Sequence, residues 1–494
     1  MRNILKISVA FLLLLTIGCS KEFLEPVPQT SLSDLSVFDN KDRIIAQVNG
    51  MYSAVKGGWY LGGRYQSVGD MRGDNFMPLS NNAYVNFNTW NHLEISATME
   101  VNDIWNQIYA SINVINVFMD GLKTNWDDGK LTGKITQEEY NQYMSESLTL
   151  RAMCYFDMVR LYCKPYIQGS GANPGVPLRI KAEKTAGGND LARSTVAEVY
   201  TQILADLNAA EPLAISSYSS DVLNTTRVHK NTIIALKTRV LLTKGDWPGV
   251  VTESAKIVPA SAPFVASSGV ANALSSSWSA IWSANTTKES IFSMPNTDIN
   301  NGGGQSAITC YFSAESGESI FLIATSPVYA AMDPADIRRS SMVKLSPGGT
   351  NPDEFFLSKY THFTTLSDWC PVIRYAEVLL SRAEAIVRQG SAVTQGAVDL
   401  LNAVRTRSFP TGAYTVASFA SATAFYTAVL QERNFEFLGE GMRSFDLMRL
   451  GLDIPAKAGL TMGDVGAIPA TSSAYIWPIP SGELSLNKLC TPNQ

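Results

Sequence analysis

"VIRYAEVLLSRAEAIVRQGSAVTQGAVDLLNAVRTR" runs from Val372 to Arg407, and its spacing predicts two helices joined by a tight turn. Val372, Ala376, Leu379, Ala383 and Ile386 recur at intervals of three and four residues, which lines them along one helical face. Gly390 marks the end of the first helix. Ala397, Leu400, Leu401 and Val404 then begin a second apolar stripe. Small residues on such stripes let the paired helices approach closely.

Outward from this segment the same design recurs. "HKNTIIALKTRVLLTKGDWPGVVTESAKIV" (229–258) places a helix containing Ala235 before a Gly245-Asp246-Trp247-Pro248 turn, and a second helix follows. Two units of this type resemble tetratricopeptide repeats, in which helix pairs stack side by side. Further helices are expected at 39–56, 101–122 and 137–163, the last stopped by Pro165. Another opens near Ser194 or Thr195, the two candidate caps, and ends at Pro212. Residues 57–100 and 259–370 have a different texture, rich in Gly, Ser, Asn and aromatics. They read as long loops, with one short strand at "ESIFSMP" (289–295). The expected class is mostly α, with a loop-rich portion carrying short strands.

The chain has 494 residues, 39 basic and 44 acidic, with a net charge of −5 and no basic run. Phosphate neutralisation is therefore not its business, and nucleic acid is excluded as a partner. Six cysteines lie at 19, 154, 163, 310, 370 and 490, without a CxxC pair. Cys154 and Cys163 share an expected helix and would be separated by about 13 Å of rise, too far for a bridge. Buried free thiols are expected. The three histidines, His92, His229 and His362, are scattered, and no HExxH occurs. No nucleophile motif, metal signature or cofactor loop stands out. The expectation is a non-enzymatic protein without cofactor or metal.

The first residues decide location. Arg2 and Lys6 precede an apolar run from Ile7 to Ile17, about half of what a bilayer span needs. Leu15-Thr16-Ile17-Gly18-Cys19 resembles a bacterial lipobox, in which the Cys19 thiol accepts diacylglycerol and the signal 1–18 is removed. Several acyl chains on one cysteine make a lasting anchor. Residues 19–38, with Pro26 and Pro28, read as an extended tether. One body, 39–494, would follow, most helix pairs lying before about residue 258 and the loop-rich insertion and last pair after it.

Four stretches carry a family resemblance: "LRAMCYFDMVRLY" (150–162), "VIRYAEVLLSRAEA" (372–385), "ERNFEFLGEGMRSFDLMRLG" (432–451) and "IWPIPSGELSLN" (476–487). With "CSKEFLEPVPQTSLSD" (19–34), they are similar to the SusD/RagB family of Bacteroidetes surface nutrient-binding lipoproteins. Ser20-Lys21-Glu22 resembles the signal that sends such lipoproteins to the outer face of the outer membrane. The resemblance implies a helical body with four tetratricopeptide-like pairs and a loop-built ligand surface. It also implies a SusC-like TonB-dependent outer-membrane barrel as partner, on which the chain sits as a lid. Ligands would be glycans, sometimes peptides. Read from the residues themselves, the motifs are structural. Arg374 and Glu377 are spaced as a helical pair, Glu384 and Arg388 likewise, and Arg433, Glu436 and Arg443 are expected to form one ionic network.

A saccharide surface needs flat aromatic faces and polar groups that read hydroxyls. The early loop offers Trp59, Tyr60, Tyr65, Arg72, Asp74, Asn75, Tyr84 and Trp90; the later one offers Trp278, Trp282, Asn300, Asn301, Gln305, Tyr311 and Phe312. By position Trp90 corresponds best to a tryptophan of the aromatic arc in starch-binding relatives. Trp90, Arg72, Asp74, Asn75, Tyr84, Trp59, Tyr311 and Phe312 are the ligand-binding candidates. Asp70 and Asp74 are read as a solvated loop rather than a calcium site, and Arg72-Gly73-Asp74 as a chance tripeptide. Capture of oligosaccharides for a barrel is the leading function. The alternatives are the same role for peptides, or a surface glycoside hydrolase, which would need two carboxylates at a set separation.

Overall fold

A computed structural model describes residues 37–185, 187–316, 319–341, 343–345 and 354–493. The signal 1–18, Cys19 and the tether to residue 36 lie outside these residues. Numbering only helices of seven residues or more, α1 is Lys41–Val55, α2 Arg64–Met71, α3 Met99–Asp127, α4 Gln137–Tyr162, α5 Val196–Ala210, α6 Lys230–Lys244 and α7 Trp247–Ser254. After the irregular middle come α8 (Tyr375–Gly390), α9 (Gln395–Ser408), α10 (Ala422–Glu436) and α11 (Arg443–Arg449).

Local chemistry sets these boundaries. Thr136 and Glu139 form a reciprocal cap at the start of α4, and Thr195 and Glu198 do the same for α5. Of the two candidate caps for α5, Thr195 is the one used. Gly245, at φ 82°, closes α6, and the Asp246 carboxylate accepts the Gly249 N–H at 2.9 Å to open α7. The two expected hairpins are therefore α6/α7 and α8/α9. In the wider stack α3 packs on α4, α4 on α5, α7 on α8, and α10 on α8. The chain is mostly α-helical, as its periodicity predicts.

The strands are short: β1 Met77–Pro78, β2 Ser290–Met294, β3 Ile320–Ile323, β4 Val343–Leu345, β5 Glu354–Leu357 and β6 Cys370–Arg374. β2 is the strand expected from "ESIFSMP". It pairs antiparallel with β6, Phe292 opposite Ile373, so the first residues of the expected α8 helix are strand instead. The other four form an antiparallel sheet in the order β1-β3-β5-β4. All five described cysteines are buried and free, as anticipated.

Several expectations are corrected, among them the single strand of 259–370, where β2, β3, β4 and β5 all lie. Residues 57–100 are not simply loop, because "RYQSVGDM" is α2, and all eight of its residues are buried. Its buried side chains are largely polar, so no apolar stripe announces it. α2 is seated on the "FLGEGMRSFD" motif. A Cβ on Gly69 would meet Gly441 O at 2.2 Å, Gly441 N donates to Asp70 Oδ2 at 2.9 Å, and Ser444 Oγ donates to Gly69 O at 2.6 Å.

The expected Arg433–Glu436–Arg443 network does not form. Arg433 pairs with Asp446 at 2.7 Å and Arg443 with Asp74 at 2.6 Å. Glu436 instead meets Arg374 at 2.8 Å, Arg407 at 2.5 Å and Arg338 at 3.2 Å. Arg374 and Glu377 likewise find distant partners: Arg374 meets Glu289 at 2.6 Å, and Glu377 meets Arg239 at 2.5 Å. Glu384 does pair with Arg388, and also with Arg449, both at 2.7 Å. Long-range pairing wins because these charges are buried. In a low-dielectric interior each needs several partners, more than one helical neighbour supplies.

Candidate functional site

The candidate surface forms where residues 56–64, the turn 82–86 and the loop 297–311 meet. Close backbone approach makes this junction. A Cβ on Gly63, which sits at φ 143°, would meet Ser306 O at 2.3 Å. Lys56 Nζ ties the loops together by donating to Asn300 O at 2.8 Å and Asn300 Oδ1 at 2.9 Å.

Arg64 is the first residue of α2 and is fully buried at the centre of the junction. Its guanidinium carbon lies 4.0 Å from the centre of the Trp59 ring, 5.9 Å from Tyr84 and 5.8 Å from Tyr311. One nitrogen, Nη2, donates to Gln305 O at 2.9 Å and to Tyr84 O at 3.3 Å. Nε and Nη1 are buried and have no hydrogen-bond partner. Burial pushes the Tyr311 phenol up, against the opposing field of Arg64.

Of the eight sequence candidates, Trp59 and Tyr84 keep accessible surface, both half-buried. The other six are placed inside. Trp90 is fully buried, its Nε1 donating to Phe76 O at 2.9 Å. Arg72 pairs with Glu94 at 3.0 Å and donates to Tyr475 O at 2.9 Å. Asp74 holds Arg443, and Asn75 donates to Asn434 Oδ1 at 2.7 Å. Tyr311 donates to Gln305 O at 2.8 Å, while Phe312 packs against Phe76 with ring centres 5.3 Å apart. Neither Asp70 nor Asp74 belongs to a solvated loop, since both are buried. Tyr60 and Tyr65 lie beneath, both donating to Asp157.

The composition of the later loop is outward-facing. Gln305 and Asn300 are exposed, Asn301 is half-buried, and Ile299 is 93% exposed at the tip. Among the described residues neither the Trp59 indole N–H nor the Tyr84 hydroxyl has a hydrogen-bond partner. Two half-exposed rings with free polar edges, set beside amide side chains, match what a saccharide's apolar face and hydroxyls require. Sequence reasoning missed Arg64. The signal was present in "GGRYQS": an arginine that follows two glycines inside an aromatic-rich stretch.

The interior also holds perturbed acids and bases. Burial raises Asp70 to about 7 and Glu100, at the start of α3, also to about 7. Lys457 is lowered to about 7 by burial and donates to Met71 O and Gly73 O. Both Glu100 oxygens are buried without partners.

The architecture is that of a helical-pair scaffold whose irregular insertions build an aromatic, amide-lined surface. The sequence matches family descriptions over both halves. Residues 22–242 fit "Starch-binding associating with outer membrane" and residues 336–494 fit the SusD family. The chain belongs to the SusD/RagB family. A curated relative, SusD-like protein P38 of Formosa agariphila, is 24% identical over 97% of both chains. Among solved structures, a SusD superfamily protein from Bacteroides fragilis superposes with a TM-score of 0.78 at 28% identity, covering 92% of this chain and 100% of its own. One from Bacteroides thetaiotaomicron gives the same TM-score at 22% identity, with the same coverage. A laminarin-binding SusD-like protein gives 0.72 at 20% identity, covering 92% and 99%. Among the described residues, no helix is long and apolar enough to cross a membrane.

Proposed function

We propose that this chain captures oligosaccharides at the cell surface and passes them, without cleavage, to a TonB-dependent outer-membrane barrel for which it acts as a lid. The observation that carries this reading is the Trp59–Tyr84 pair, two half-exposed rings packed around one buried guanidinium on a SusD-family scaffold. Pyranose rings would stack on these faces, while Gln305 and Asn300 would read hydroxyls. The laminarin-binding relative with the same fold supports a saccharide ligand. The lipobox-like Leu15–Cys19 supports attachment through an acylated Cys19.

The test is calorimetry of the purified protein against panels of oligosaccharides and peptides, with chromatography of the ligand afterwards. Saccharide bound and recovered intact is the expected result. Cleaved products would make the protein a hydrolase, and binding of peptides alone would move the reading to peptide capture. Co-purification of a barrel with wild type but not with Cys19→Ser, together with acyl labelling lost in that variant, is expected for a tethered lid.

A further inference from the structure

Arg64 is an electrostatic exception. Eight other arginines among the described residues are buried, and each has a carboxylate within ion-pair distance. Arg64 has none, and two of its nitrogens are unpartnered. A buried cation without a carboxylate is expensive, and the three rings and two carbonyl oxygens around Arg64 offset only part of that cost. Lys56, on the other side of Trp59 in the chain, also lacks a carboxylate; its ammonium spends two hydrogen bonds on Asn300. The acids that feel Arg64 are Glu100 and Asp103 on α3, and neither reaches ion-pair distance. Glu100 is itself raised to about 7 by burial, which weakens it as a counter-ion near neutral pH.

The position of Arg64 gives this charge a direction. Its guanidinium sits 4.0 Å beneath the Trp59 ring, so a group on the outer face of that ring lies about 7–8 Å from the cation, across poorly screening material. A ring already covered by a cation on one side is a poor host for a second cation and a good one for a negative group. The chain carries a net charge of −5, so a cation set beneath this ring, with Lys56 beside it, departs locally from the overall sign.

We propose that the saccharide taken at the Trp59–Tyr84 surface carries an acidic substituent, a carboxylate or a sulfate ester, recognised by Arg64 and Lys56. This rests on the saccharide-capture reading above and narrows it to acidic glycans.

The experiment is calorimetry of the full chain in detergent with three probes of matched length: oligogalacturonate, sulfated carrageenan oligosaccharides and neutral laminarin oligosaccharides. At least one acidic probe is expected to bind about tenfold tighter than the neutral one. That preference should shrink between about 50 mM and about 500 mM NaCl. Which acidic probe binds identifies the substituent. Arg64→Gln should bring acidic and neutral affinities together, whereas Arg64→Lys should keep part of the preference. Lys56→Gln, at the rim, should weaken the acidic probe about threefold more than the neutral one, since the loss of its bonds to Asn300 touches both probes and the loss of its charge only the acidic one; it carries the mutational test if Arg64→Gln does not fold. Equal or tighter binding of laminarin, without salt dependence, overturns the acidic class and leaves saccharide capture standing. Binding of none of the three overturns the class together with the reading beneath it.

Discussion

Replacing Trp90 by alanine should damage the fold, whereas replacing Trp59 should damage binding. Trp90 has no exposed surface, and its ring lies against Phe87, with centres 6.2 Å apart, and under Lys457, whose Nζ is 5.5 Å from the ring centre. Truncating a buried tryptophan costs about 3–5 kcal/mol in lost transfer energy and cavity. Losing the Nε1 donor removes a partner from Phe76 O, for about 1 kcal/mol more. Unfolding entropy near 2.1 cal/mol/K per residue amounts to about 1 kcal/mol/K for a chain of 494 residues. A loss of about 4–6 kcal/mol then lowers Tm by about 4–6 °C if the chain melts as one unit. Trp59→Ala removes a half-exposed ring and should shift Tm by less than about 2 °C, while weakening saccharide binding about tenfold through the lost stack. Differential scanning calorimetry and titration on both variants decide the matter. A Trp90→Ala protein that melts like wild type yet no longer binds would refute the assignment of Trp90 to the core.

Three further outcomes are expected. Gly69→Ala would drive its methyl into Gly441 O and unseat α2 from the 439–444 turn; urea unfolding should show a loss of about 2–4 kcal/mol, and an unchanged midpoint would contradict the packing. Glu436→Gln leaves Arg374, Arg407 and Arg338 short of one carboxylate, at about 3–5 kcal/mol. Burial pushes Glu436 up, but these three arginines together outweigh it and hold the group far below the usual range. Its contribution is therefore fully present above the unfolded carboxylate value and is lost as pH falls toward the depressed one, so the variant should show a flatter acid limb in urea midpoints between pH 6 and pH 3. Glu100 has the opposite sign. Burial raises it to about 7, so the folded chain keeps a proton that the unfolded chain sheds, and stability falls as pH rises from the ordinary carboxylate value to about 7. Glu100→Gln should gain about 1–3 kcal/mol more at pH 8 than at pH 5, and equal changes at both would rule out the buried acid as the cause.

The helices were legible wherever one face met the core and the other met water. α9 shows its stripe because Ala397, Leu400 and Val404 are buried while Gln395 and Asp399 stay exposed, whereas α8 is buried almost all round and was legible from its run of Ala, Val and Leu. α2 was illegible for the opposite reason. Arg64, Gln66, Ser67 and Asp70 are all buried, and Arg64 and Asp70 find partners far away in sequence, Gln305 and Gly441. The β2–β6 pair was half legible. "SIFSM" reads as a strand by composition, but Cys370–Arg374 runs straight into the apolar pattern of α8, and only pairing with β2 separates the two.

The site followed a different rule. Aromatic residues in the early loop were equally plausible as platform or core, because composition does not say which face of a loop turns inward. Trp59 and Trp90 differ in their neighbours. Trp90 lies on a short helix whose indole N–H reaches a backbone carbonyl, so its polar edge is satisfied inside the fold. Trp59 rests on a cation and keeps its N–H free. The same contrast separates Arg72 from Arg64, since only Arg72 has Glu94 beside it. A residue whose polar groups are all met by the fold has nothing left for a ligand, whereas one left incomplete beside solvent-facing rings does. That criterion supports the surface around Trp59, Tyr84 and Arg64 as the proposed ligand site, whereas the family-defining charges at 432–451 are paired among themselves and with neighbouring elements and hold the frame.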